Sequence, residues 1–193
     1  MEPQPVPSDR ISIRRKAFEA IKRLSFKRGD FTLSSGAKSD YFLDLKRTML
    51  DPVGIRLLAE LVLQRIDGLG VEYIGGLEMG AVPLISPINL LSGDQGRGIP
   101  GFFVRKQVKL HGTMKQVEAP EGDLAGKRVV VLDDVTTSGA SALKAVKAVQ
   151  AEGANVVLVL AVVDRESGAA KLFERENIPF TALFRASEFF ATA

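Results

Sequence analysis

The sequence predicts an α/β fold with a mostly parallel central sheet flanked by helices. Segments of strand length alternate with helix-like segments after the first third of the chain. The apolar runs Val129 to Leu132 and Val156 to Val163 lack the polar alternation of a half-exposed strand, as expected where helices cover both faces. At 193 residues, with 46% hydrophobic and 25% charged residues, the chain can bury one sizeable core, and a single domain over 1–193 is expected.

Residues 1–10 are proline-rich and read as a poorly ordered lead-in. Ala17, Phe18, Ile21 and Leu24 recur at helical spacing, predicting a helix over about Ile11 to Lys27 with Gly29 as its stop. "FTLSSGAKSDYFLDL", Phe31 to Leu45, reads as two short extended pieces around a turn at Gly36. Asp51 followed by Pro52 is a helix start, and Ile55, Leu58, Leu61 and Val62 form its apolar stripe. A strand near Glu72 to Gly75, a helix from about Gly80 to Leu91 and a strand near Gly101 to Val104 follow. Arg105 to Gly126 has no periodicity and reads as a long loop, a length that in compact domains is usually functional. The remaining chain predicts strand (Val129 to Leu132), helix (Ser141 to Glu152), strand (Val156 to Val163), helix (Ala169 to Asn177) and strand (Phe180 to Phe184).

Composition narrows the chemistry. The absence of cysteine excludes a disulfide framework, a thiolate nucleophile and cysteine zinc sites, and fits a cytoplasmic location. His111 is the one histidine, which leaves no histidine cluster for a metal. No apolar stretch follows basic residues at the N-terminus, and the longest apolar run is far shorter than a membrane span, so neither a secretory signal nor a membrane association is expected. The net charge of +3 suits a polyanionic ligand.

The stretch "RVVVLDDVTTSGAS", Arg128 to Ser141, concentrates the candidate chemistry. In an open parallel sheet ligands bind beyond the carboxyl ends of the strands, where Asp133 and Asp134 are expected. The turn Thr136, Thr137, Ser138, Gly139 then opens a helix whose unpaired amides and dipole favour a phosphate. Carboxylates would repel that phosphate, so they should face a neutral, hydroxyl-bearing part of the ligand. A sugar phosphate meets both requirements. The plainer alternative is a solvated strand exit with Ser138 or Ser141 as a helix cap. "GDLAGKR" is one residue short of a P-loop and precedes a strand, and no G-x-G-x-x-G opens a helix after a strand, so the usual nucleotide fingerprints are excluded.

"VVVLDDVTTSGAS" resembles the phosphoribosyl pyrophosphate (PRPP) loop of the type I phosphoribosyltransferases. The resemblance implies that Asp133 and Asp134 approach the ribose hydroxyls while Thr136, Thr137, Ser138, Gly139, Ala140 and Ser141 hold the 5-phosphate, with Val135 also in the PRPP-binding set. "FVRKQVKLHGT" supplies Arg105, Lys106, Lys109 and His111; alone it would pass for a solvated loop. Beside a pyrophosphate leaving group, such a loop would stabilise growing negative charge, and its length suits a lid. This spacing is similar to the mobile catalytic loop of the orotate phosphoribosyltransferases, a likeness that "FTLSSGAKSDYFLDL" and "GGLEMGAVP" extend over most of the chain after Ile11. The fold so implied adds a small N-terminal hood and a mobile basic loop to the sheet. Lys109 is the first choice for the leaving group, with His111 as a candidate proton donor.

"VVDRESG" places Arg165 at a strand end, where its fork could bind a planar carboxylate; an ion pair with Glu166 or another acid is the alternative. Orotate carries such a carboxylate, whereas uracil and the purine bases do not. By the resemblance, Thr137 and the backbone around Phe42 and Leu43 complete the base pocket. It also implies PRPP and orotate as substrates, Mg2+ held mainly by PRPP with no direct protein ligand, and a homodimer sharing the basic loop. Ser34 and Met79 stand where many members carry lysine. A base other than orotate, or a PRPP-sensing regulator that binds nucleic acid, are the rivals; no helix-turn-helix or basic-aromatic strip supports the second.

Overall fold

The computed structural model describes residues 8–32, 38–107, 115–120 and 124–190. Helix α1 (Ser8–Leu24) leads into a hairpin of β1 (Phe26–Thr32) and β2 (Lys38–Leu43). The predicted helix end at Lys27 is corrected: Ser25 closes the last turn and β1 begins at Phe26. Gly29 lies inside β1, at φ 149°, where the hairpin register shifts between Arg28 and Phe31. A glycine tolerates that backbone, so it marks a bulge and not a helix stop. The expected turn at Gly36 lies outside the described residues.

A short helix α2 (Lys46–Met49), absent from the sequence reading, precedes α3 (Pro52–Arg65). The Asp51 carboxylate accepts from the amides of Val53 and Gly54, which fixes the start of α3 as its Asp-Pro pair predicts. Then come β3 (Tyr73–Leu77), α4 (Val82–Asp94), β4 (Gly101–Val104), β5 (Val117–Glu118), β6 (Arg128–Thr136), α5 (Ala140–Ala151), β7 (Asn155–Asp164), α6 (Ala169–Arg175) and β8 (Phe180–Arg185). A 3-10 turn over Ala186–Phe189 follows. The region 105–126 is therefore not all loop, since β5 pairs antiparallel with β4.

The main sheet has the order β5-β4-β3-β6-β7-β8 and is parallel except at β5. Two apolar clusters cover its faces. One joins Val130, Leu132 and Leu160 to α1, α3 and α4 through Ile21, Leu58, Val62 and Ile88. The other joins Val129, Val131 and Val159 to α5 through Ala145, Val146 and Val149. Over 129–132, even-numbered residues of β6 thus face one layer and odd-numbered residues the other, as strand alternation requires. The chain winds outward from β3 to β4 in one direction and from β6 through β7 to β8 in the other. The switch in direction falls between β3 and β6, where open α/β sheets form a crevice beyond the strand ends. Among the described residues, no helix is long and apolar enough to cross a membrane.

Candidate active site

The crevice is bounded by the ends of β3 and β6. Strand β6 continues four residues past the predicted end at Leu132, pairing with β7 as far as Thr136 opposite Asp164. Asp133 and Asp134 are therefore strand residues, and alternation sends their side chains to opposite faces. Thr136, expected in the turn, is also a buried strand residue, and the turn itself comprises Thr137, Ser138 and Gly139.

Asp134 lies on the side of α4, where Gly80 makes room for it. A Cβ on Gly80 would stand 2.3 Å from Asp134 Oδ1. Burial raises the Asp134 pKa, opposed by the Val135 amide and by the charge of Lys46, while Asp44 adds to the rise. Lys46 is ion-paired with Asp44 at 2.7 Å. On the other face Asp133 is 9% exposed, and burial pushes its carboxyl up to about 7 with help from the Asp134 charge. The neighbouring Thr136 hydroxyl opposes that rise, although its buried Oγ1 makes no hydrogen bond of regular geometry. Two adjacent acids are thus held in poor solvation, where hydrogen-bond partners would stabilise their charged forms.

The turn is open as a phosphate cradle should be. Thr137, Ser138, Ala140 and Ser141 are exposed, and no side chain caps α5. Ser138 Oγ meets the Ala140 amide only at 3.5 Å. The alternative in which a serine caps this helix is therefore not what the chain adopts, and beyond the long contact from the Ala140 amide no described side chain satisfies the start of α5. Gly139 makes the turn possible: its φ is 82°, and a Cβ there would stand 2.9 Å from Phe173 of α6.

Arg165 follows β7, its amide donating to Thr136 O at 2.9 Å, which places it beside the β6 end. The expected alternative of an ion pair is not found: among the described residues no carboxylate pairs with it. Its partners are Tyr41 and Ser39 of β2. Glu166 instead accepts from the Ser187 amide at 2.9 Å. The hairpin thus stands over the sheet as a hood, with Phe42 38% exposed and Leu43 buried. Its underside is anchored by aromatic contacts from Phe26 to Phe189 at 5.5 Å and from Tyr41 to Phe190 at 5.1 Å.

At the base of the basic loop, Arg105 is committed to Glu118, with Nε and Nη2 donating to Oε1 at 3.0 and 2.9 Å. The Lys106 amide donates to Glu78 at 2.9 Å and its side chain is exposed. Lys109, His111 and Ser34 lie outside the described residues. Met79 is 64% exposed between β3 and α4.

Comparison with known proteins identifies the family. Residues 49–178 match the phosphoribosyl transferase domain. Over 178 residues the chain is 52% identical to the orotate phosphoribosyltransferase of Bradyrhizobium sp. strain BTAi1, covering 91% of this chain and 96% of that one. The chain belongs to the orotate phosphoribosyltransferase family. A crystal structure of the Mycobacterium tuberculosis member superimposes with a TM-score of 0.80 at 37% identity, covering 92% of this chain and 98% of that one. The same protein in complex with PRPP superimposes with a TM-score of 0.77 at 34% identity and the same coverage.

As a member of the orotate phosphoribosyltransferase family, the chain has three site features that reading the sequence missed. Lys46 follows the hood strand in "DLKR", a run with no motif of its own. Gly80 acts through a contact 54 positions away, and Tyr41 through one 124 positions away. Only the fold could have paired them.

Proposed function

We propose that the protein transfers the 5-phosphoribosyl group of PRPP to orotate, giving orotidine 5-phosphate and pyrophosphate in de novo pyrimidine synthesis. The observation that carries this reading is the junction of two recognition elements at one strand end: the Asp133–Asp134 pair with its open phosphate turn, and an arginine free of any described acid beside it.

The base displaces pyrophosphate at C1 of the ribose, through a transition state with positive charge on the sugar and growing negative charge on the leaving group. No covalent nucleophile is required. The amides opening α5, with Thr137, Ser138 and Ser141, hold the 5-phosphate. Asp133 and Asp134 hydrogen-bond the ribose hydroxyls, orient the sugar and favour its positive charge. Arg165 grips the orotate carboxylate, and Thr137 with the backbone of Phe42 and Leu43 lines the base pocket. Lys109 neutralises the leaving pyrophosphate, assisted by Lys106 and by His111 as proton donor. Arg105 joins them when ligand draws it from Glu118.

The donor set suits Mg2+ carried on the substrate. Among the described residues no three acids or histidines converge on a point, and such an ion keeps waters and phosphate oxygens with few protein ligands. Bound to PRPP, it would neutralise phosphate charge. The enzyme works in the cytoplasm as a homodimer, the basic loop of one protomer reaching the site of its partner; the support for both is the family resemblance.

The test is loss of orotate absorbance with PRPP and Mg2+, run beside uracil, adenine and guanine. Consumption of orotate alone supports the proposal; turnover of another base in its place overturns it.

A further inference from the structure

Arg165 has a seat that its own strand does not supply. Its Nε donates to the Tyr41 hydroxyl at 2.9 Å and its Nη2 to Ser39 Oγ at 3.3 Å. The guanidinium also lies over the Tyr41 ring, 4.4 Å from the centroid. Both partners are neutral. An arginine paired with a carboxylate would present little net charge to a ligand, whereas hydroxyl acceptors and an aromatic face fix the fork and leave its charge intact. Among the described residues Nη1 makes no hydrogen bond, which leaves one edge of the fork for an incoming anion.

The seat is rigid because Tyr41 is itself held. Its ring meets Phe26 at 5.7 Å and Phe190 edge-on at 5.1 Å, and Ser39 Oγ donates to Tyr41 O at 2.7 Å. The backbone beyond Arg165 is tied down as well. Asp164 accepts from the Glu166 amide at 2.8 Å, and Glu166 keeps a φ of 58° while its carboxylate holds Ser187.

We infer that Tyr41, with Ser39, is a positioning residue for base selection: the pair aims Arg165 so that its unused edge meets a carboxylate on the base. This rests on the reaction proposed above. It assigns the hood a part in choosing the base, separate from the phosphoribosyl contacts at the end of β6.

Tyr41→Phe keeps the ring and its packing and removes the acceptor. The expected result is a KM for orotate raised about tenfold, the scale of one charge-assisted hydrogen bond, with the KM for PRPP and the saturated rate nearly unchanged. Ser39→Ala should act in the same direction and more weakly. In an Arg165→Ala background the effect of Tyr41→Phe should vanish, because the tyrosine acts through the arginine. The inference is overturned if Tyr41→Phe leaves the orotate KM unchanged, raises both KM values alike, or keeps its full effect without Arg165. Wild-type protein that leaves orotate unconsumed overturns the reaction and the inference with it; wild-type turnover with an unaltered Tyr41→Phe overturns the inference alone.

Discussion

The end of β6 and the seat of Arg165 are joined by the backbone hydrogen bond from Arg165 N to Thr136 O at 2.9 Å, yet they are built by different means. The first comes from one contiguous run, Asp133 to Ser141, in which strand alternation, a left-handed glycine and an uncapped helix start follow directly from residue order. The second joins side chains 124 and 126 positions apart and exists only after the hood has folded over the sheet. In the proposed reaction, local chemistry makes the sugar-phosphate half and tertiary packing makes the base-selecting half. A single substitution should therefore damage one half and spare the other.

The largest separation is expected from Asp134→Asn, which keeps the shape of the side chain and removes its charge. Its kcat/KM for PRPP should fall about a hundredfold or more, the usual scale for losing a group aimed at transition-state charge, with the affinity for orotate nearly unchanged. Steady-state kinetics with each substrate varied would check this, and a matching loss of orotate affinity would break the division. Gly80→Ala comes next. Its Cβ would stand 2.3 Å from Asp134 Oδ1, so the carboxylate must move. A rise of about tenfold in the KM for PRPP is expected, from misplacing rather than deleting the group.

Asp133 supplies a pH signature. Its folded pKa of about 7 lies above the ordinary value of 3.8, so between those limits the folded state keeps a proton that the unfolded chain has released. The contribution of Asp133 is therefore most favourable below about pH 4, declines as pH rises, and levels off above about pH 7. Asp133→Asn cannot ionise and should remove that slope, so denaturant titrations of the ligand-free proteins should diverge by at most about 1.4 kcal/mol per pH unit across the window. Parallel curves would contradict the assignment. The smallest effect is expected at the loop base: Glu118→Gln should cost under about 1 kcal/mol in the same titration, as a half-exposed ion pair does.

The same division explains what the sequence reveals. The sheet, α3 with its Asp51 cap, and the β6 turn all follow from short-range signals, and the structure places them within a few residues of expectation. The errors have local causes. Gly29 reads as a helix stop because a glycine breaks a helix and bulges a strand equally well, and the pairing with β2 decides which. The strand end at Leu132 is set too early because two aspartates resemble an exit to solvent, whereas pairing with β7 carries the strand on to Thr136. Arg165 is identifiable as a candidate, but its choice between an acid and a hydroxyl partner depends on Tyr41, which no spacing rule connects to it. Phe189 and Phe190 pass unnoticed at the C-terminus although they anchor the hood.

Whether Arg165 reads the base while the β6 end holds the phosphoribosyl group is decided by Arg165→Ala, with the affinities for orotate, uracil and PRPP measured. The wild-type preference for orotate over uracil should collapse by about tenfold to a hundredfold while the affinity for PRPP stays within about twofold. An unchanged preference, or an equal loss for orotate and PRPP, would contradict that role for Arg165.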